Sequence, residues 1–206
     1  MKKALIVLGI VAGVFILAAV LIFFNGMGKI NNFNRLKLEA EEAWSQVENV
    51  YQRRADLVPN LVETVKGYAS HEKETFSAIA EARSKMGGQI SLSKDALNDP
   101  QALEKFGRAQ ATLGSALQRL MMVQERYPQL KADKNFMALQ DELAGTENRI
   151  ATERRRYNEA VKNYNYKIIE MPWAFLARLY GFEKMAFFRA SEGSDKVPEV
   201  NFSGNE

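Results

Sequence analysis

The sequence predicts an all-α protein: an N-terminal transmembrane helix, then an antiparallel up-down four-helix bundle with a C-terminal aromatic helical segment. Three observations carry that expectation. Ala4–Phe24 is an uncharged apolar run of 21 residues directly behind Lys2-Lys3; at 1.5 Å per helical residue it reaches about 31 Å, the thickness of a bilayer's hydrocarbon core. Beyond it, apolar residues recur at spacings of three and four, the helical period, rather than at every second position. Five prolines and 13 glycines stand in a chain rich in Ala, Leu, Glu, Gln and Arg, all good helix formers.

Charge and cysteine usage narrow the function classes. Lysine and arginine total 28 against 25 acids, and two of the lysines precede the apolar run, so the body beyond it is close to neutral. A sequence pI near 9.0 therefore marks no nucleic-acid partner, because no basic face dominates. The chain has no cysteine, which excludes disulfides, thiolate catalysis and Cys-type zinc sites.

The apolar run exceeds the about 7–15 residues of a secretory signal core, so it reads as a retained anchor. The alternative is cleavage at Gly26-Met27-Gly28, where small residues stand at suitable offsets. Lys2-Lys3 is the compact basic cluster beside the run, and long domains translocate largely regardless of charge. The expected topology is single-pass in the bacterial inner membrane, N-terminus cytoplasmic and bundle outside.

Residues 1–28 form the anchor and stalk, because Asn25–Asn32 (NGMGKINN) is poor in helix formers. The bundle occupies 29–190. Helix 1 carries Phe33, Leu36, Ala40, Trp44, Val47 and Tyr51 on one stripe and is expected to end near Arg54. Asp56 can cap helix 2, with Pro59 in its first turn. Helix 2 runs from Leu57 to Met86 on the stripe Leu61, Val65, Tyr68, Phe76 and Ile79, and Gly87-Gly88 closes it. After a loop over Gln89–Asn98, Asp99-Pro100 opens helix 3, whose stripe (Leu103, Phe106, Leu113, Leu117, Leu120, Tyr127) runs to Pro128. Asp133 caps helix 4, Lys134–Glu170, about 55 Å long, on Phe136, Leu139, Leu143, Thr146, Ile150, Tyr157, Tyr164 and Ile168. Pro172 breaks it, and 191–206 is expected to be a disordered tail.

The stretch RRADLVPNLVETVKGYASHE (Arg53–Glu72) resembles the signature of the LemA family of bacterial membrane-anchored proteins. The resemblance continues through YPQLKADKNFMALQDELAGTENRIATERRRYNEAVKNYN (Tyr127–Asn165) and on to Pro172 and Gly181-Phe182. It implies one N-terminal transmembrane helix and a helical bundle. It brings no catalytic or cofactor residues, because the family's biochemical activity is poorly defined.

Helix parity predicts two ends. Turns 1–2 and 3–4 share the far tip, which gathers Arg53, Arg54, Asp56, Arg126, Lys131 and Asp133 as a candidate docking site for a charged partner; the plainer account is a solvated bundle end with weak ion pairs. Helix 4 returns to the membrane side, where PWAFLARLYGFEKMAFF holds six of the 21 aromatic residues. Trp173, Phe175, Arg178, Tyr180, Phe182, Lys184, Phe187 and Phe188 are the candidate membrane-proximal interface. The alternative there is a segment folded back to cover the open end of the core.

Other constellations carry less. His71 is the only histidine, and a di-iron bundle needs two Glu-x-x-His pairs. Glu41-Glu42 are adjacent on a helix and do not face each other. Arg154-Arg155-Arg156 cannot form one basic face, and the Tyr157-Asn158 and Tyr164-Asn165 repeats read as core tyrosines with hydroxyls at the rim. The expected function is a membrane-anchored interaction or scaffold module of the cell envelope, non-enzymatic, with no cofactor, catalytic or metal residues. Its partners are the bilayer through Ala4–Phe24 and another envelope protein, with no nucleic acid. The competing readings are a ligand-binding or enzymatic bundle with a polar interior near Glu72, Thr146 and Asn148, and a lipid-surface sensor built on Pro172–Phe188.

Overall fold

A single helix, α1 (Lys2–Tyr68), carries the apolar run and continues without a break into the body of the protein. The computed structural model describes residues 2–85 and 92–188; among residues 2–24, side chains are described at Gly13, Phe15, Ile16 and Leu17. Those described residues are helices joined by turns and one extended C-terminal segment, with no strand. The tail expected over 191–206 and the Gly87-Gly88 helix stop lie outside them.

Two sequence-based boundaries are corrected by α1. The expected stalk Asn25–Asn32 is helical, and so is the expected turn Arg53–Pro59. Proline inside a helix lacks the N–H that would bond Ala55 and crowds the preceding turn, at a cost of about 3 kcal/mol. Packing offsets it. Tyr51, Val58, Leu61 and Val65 keep the 3-and-4 spacing across Pro59, and all four are buried. Asp56 caps nothing; it accepts a hydrogen bond from Gln52 Nε2 at 2.6 Å on an exposed face. Pro59 itself is exposed, so Pro59→Ala should raise stability by about 1–2 kcal/mol, read as a higher unfolding midpoint by circular dichroism.

The predicted second helix is split. Chain reversal occurs at Ala69–Glu72, after which α2 (Lys73–Lys85) runs back along α1, placing Phe76 under Lys66 (5.9 Å from nitrogen to ring centre). Part of the expected loop is a short 3-10 turn, Lys94–Asn98, that buries Leu97. Asp99 caps α3 (Pro100–Met122) as expected, accepting from the Gln101 N–H at 2.8 Å. A 3-10 turn at Val123–Glu125 and the single-turn α4 (Pro128–Lys131) lead to Asp133, which caps α5 (Lys134–Ile169) through the Phe136 N–H at 2.8 Å. The short α6 (Ala174–Leu179) follows.

The backbone of the body is the pair formed by α5 and the outer part of α1. Tyr68 meets Asp133, Arg54 meets Glu147 and Trp44 meets Tyr157, so the two helices run antiparallel. Their apolar stripes repeat every three or four residues, the pattern that keeps one seam turned to a partner helix. α3 lies beside this pair and runs in the same sense as α1, with Phe106 against Trp44 and Gln110 against Arg54. The outer core is Leu57, Leu61 and Val65 from α1, Ile79 from α2, Leu117 from α3 and Phe136 from α5. The inner core, nearer the apolar run, is aromatic and is closed by residues after α6.

Candidate functional site

The base of the body, where α1 emerges from its apolar run, is built by the chain after α5. α6 lies against α1 at Gly26, where a Cβ would stand 3.3 Å from Leu176 Cδ1, a close approach of the two helices. Lys29 sits 5.8 Å from the Trp173 ring centre, and Phe33 meets Phe182 edge-on at 5.5 Å. α6 ends on Gly181 at φ +73, with the Gly181 N–H bonded to Arg178 O and the Phe182 N–H to Ala177 O. That pair of bonds needs a left-handed residue between them, the usual place for glycine. It reverses the chain and sends it back up along α5.

The segment divides into an exposed half and a buried half. The first half forms a collar: Met171, Phe175, Leu179 and Tyr180 are 79%, 70%, 66% and 60% exposed. Arg178 neighbours Phe175, three residues before it on α6, and is exposed, as is Lys184. Trp173 and Phe182 are half-buried against α1. The second half is a cover: Met185, Ala186 and Phe188 are buried, while Phe187 points outward. Phe188 stacks on Trp44 at 5.5 Å and 21°, with the Arg154 guanidinium 4.6 Å from its ring centre.

The cover is held by the two Tyr-Asn repeats, a role the sequence reading missed. Asn165 donates to Met185 O and accepts from the Met185 N–H, both at 2.9 Å. Asn158 does the same for Phe188 at 2.9 Å. Tyr164 donates to Glu183 O at 2.9 Å and Tyr157 to Ala186 O at 3.0 Å. The spacing is dictated by geometry: seven helical residues rise about 10.5 Å, and three extended residues span about 10 Å. A helix that repeats Tyr-Asn at seven therefore matches an extended chain read at every third residue. Burial pushes the Tyr164 hydroxyl up to about 12, with Glu183 and Glu41 adding to it, and burial raises Tyr157 further. Both stay protonated and remain donors.

The six residues expected at the tip are not brought together. Arg53 and Arg54 lie partway down α1, about 21 Å of helix from Tyr68, because the turn that would have carried them to the tip does not exist. Arg53 pairs with Glu142 at 2.7 Å. Arg54 is buried; it meets Glu147 at 3.0 Å, Gln110 O at 2.9 Å and Gln110 Oε1, with the Tyr51 ring 5.0 Å away. At the true tip Tyr68 donates to Asp133 at 2.9 Å, Glu72 takes Arg126 at 2.7 Å and Tyr127 at 3.1 Å, and Lys131 stands 3.6 Å from Glu125. The Phe136 N–H and the Tyr68 hydroxyl hold the Asp133 carboxyl below its ordinary range.

Of the residues expected around a polar interior, Glu72 lies at the tip, bonded to Arg126 and Tyr127. Thr146 bonds back to Glu142 O at 2.8 Å. Two surface depressions are lined by other residues: about 430 Å³ around Asn25, Gly28, Lys29 and Asn32 at the base, and about 700 Å³ between α1 and α2 around Val62, Lys66, Phe76 and Ile79. Among the described residues no cluster of His, Asp and Glu could hold a metal ion. No helix is long and apolar enough to cross a membrane among the described residues, which leave out most side chains of Ala4–Phe24.

A family model described as the LemA family matches residues 43–202. The chain is similar to the magnetosome proteins MamQ 1 and MamQ 2 of Paramagnetospirillum magneticum, each 30% identical over 207 residues, covering 93% of this chain and 74% of theirs. Protein LemA of Metamycoplasma hominis is 28% identical over 178 residues, covering 86% of this chain and 77% of its own.

Proposed function

The chain belongs to the LemA family, and on that premise we propose that it is a membrane-anchored helical interaction module of the bacterial cell envelope. Ala4–Phe24 spans the inner membrane once, with the N-terminus in the cytoplasm and an up-down bundle outside. The observation that carries this reading is the continuity of α1. Phe15, Ile16 and Leu17 are exposed at 71%, 66% and 62% within a run of uncharged residues, and such a surface needs an apolar surrounding. With no joint before Tyr68, the anchor and the body form one rod, which suits a part that presents a surface at a fixed height. The apolar and aromatic core supports binding to another envelope protein over catalysis. The tip around Tyr68, Glu72, Arg126, Lys131 and Asp133 is the docking end. Relatives named for the magnetosome and one that is not match most of this chain, which supports the body, rather than a single pathway, as the common element.

Alkaline extraction of membranes from expressing cells tests the anchor. The full chain should remain in the pellet with an intact mass that includes residues 4–24. Val14→Lys with Leu17→Lys, each costing about 2.5–3.5 kcal/mol near mid-bilayer, should release it. A mass lacking the run, or release of the unaltered chain, overturns the reading.

A further inference from the structure

We propose that the collar on α6 seats the body in the headgroup layer of an anionic bilayer. The proposal rests on Ala4–Phe24 being the anchor and names the second membrane contact that the anchor brings within reach.

Height is the first argument. Gly26, against which Leu176 packs, lies about 3 Å along the helix from Phe24, and Lys29, beside Trp173, about 7.5 Å. The interfacial layer is about 5–8 Å deep on each side of the hydrocarbon core, so α6 lies within it. Chemistry is the second. Met171, Phe175, Leu179 and Tyr180 form an apolar and aromatic rim at one end of the molecule, where no other part of the described chain covers them. Scattered exposed apolar residues are ordinary, whereas a cluster this size marks a surface with a partner. Aromatic rings with long cations beside them are the side chains that settle at headgroup depth. Charge is the third. Lys29 and Arg178 stand at the rim, and the polar depression lined by Asn25, Gly28, Lys29 and Asn32 opens beside it. Glu170 is tied to Lys167 at 2.9 Å, leaving Glu183 as the exposed acid of the segment.

The test uses the full chain in vesicles of zwitterionic lipid, with or without an anionic phospholipid, and with brominated acyl chains as quencher. The two tryptophans make an internal pair. Trp173 belongs to the base, whereas Trp44 is buried about 30 Å beyond Phe24. Seating predicts that bromine quenches Trp173 and not Trp44, assigned with Trp173→Phe and Trp44→Phe variants. Phe175→Ser with Leu179→Ser should abolish quenching while leaving helicity and alkaline-resistant retention unchanged, since both side chains are exposed. Anionic lipid should favour the seated state by about fivefold for each cation that reaches the surface, an advantage lost in high salt and reduced in Arg178→Gln. A chain that is retained but unquenched in every vesicle overturns the collar and leaves the anchor standing. Equal quenching with and without anionic lipid overturns the preference for charge. Release of the unaltered chain by alkali overturns the anchor, and the collar proposal falls with it.

Discussion

Replacing Asn158 and Asn165 together with alanine should free the extended segment Phe182–Phe188 and cost the body about 3–5 kcal/mol. Four backbone groups, the N–H and C=O of Met185 and of Phe188, lose their partners. A buried polar group left unpaired costs about 1–3 kcal/mol. The Asn165 pair lies deeper than the Asn158 pair, so Asn165→Ala alone should account for most of the loss. The consequence reaches the aromatic core, because Phe188 fills the space between Trp44, Phe106 and Tyr157. Hydrogen exchange should show the amides of Met185 and Phe188 losing protection ahead of those in α5, and limited proteolysis should cut near Lys184. Asn163→Ala, on an exposed position of the same helix, should change neither. A double variant with unaltered exchange at those two amides would mean that the amide side chains hold nothing.

The second large effect concerns Arg54. Its guanidinium bonds α3 at Gln110 and α5 at Glu147 from a buried site on α1, and its Nε and Gln110 Nε2 have no partner among the described residues. Arg54→Ala removes the side chain's volume and leaves Gln110 Oε1 without its donor, for a loss of about 3 kcal/mol. Arg54→Met keeps much of the volume and removes the desolvated charge. Replacing a buried charge together with its buried partner by apolar groups is often neutral or stabilising, so Arg54→Met with Gln110→Leu should unfold within about 1 kcal/mol of the unaltered protein or later. Glu147 is 43% exposed, so water screens its half of the pair and limits what the attraction returns. Denaturant unfolding of both variants separates the terms. A double variant as weak as the alanine one would show that the buried polar pair contributes net stability.

The legible parts of this fold are those decided within a few residues. Asp99 with Pro100, and Asp133, read directly as helix starts, because a cap is a bond between a side chain and an N–H two or three residues on. Pro59 misled for the opposite reason. Local rules end a helix there, and burial of Leu57, Val58, Leu61 and Val65 among other helices carries it onward. The apolar phase did hold an indication, since Tyr51, Arg54, Val58, Leu61 and Val65 stay on one stripe, as a true turn would not require. That error displaced the tip, separating Arg53, Arg54 and Asp56 from Arg126, Lys131 and Asp133. The base was legible as to place, because the apolar run and the aromatic segment follow from sequence alone. Its division into a wet rim and a dry cover was not. Phe175 and Phe188 have the same side chain, and which one is buried depends on the distant Tyr-Asn repeats of α5 that hold the returning chain.

The uninterrupted first helix has a mechanical consequence. From Phe24 to Tyr68 it extends about 66 Å, and transmembrane helices lean to match the thickness of the lipid around them. On the proposed anchoring, a lean of about 10° carries the far end sideways by about 11 Å, the width of a helix. The rod is a lever with its short arm in the lipid, and a thinner or thicker bilayer would swing Tyr68 and Asp133 toward or away from whatever stands beside them.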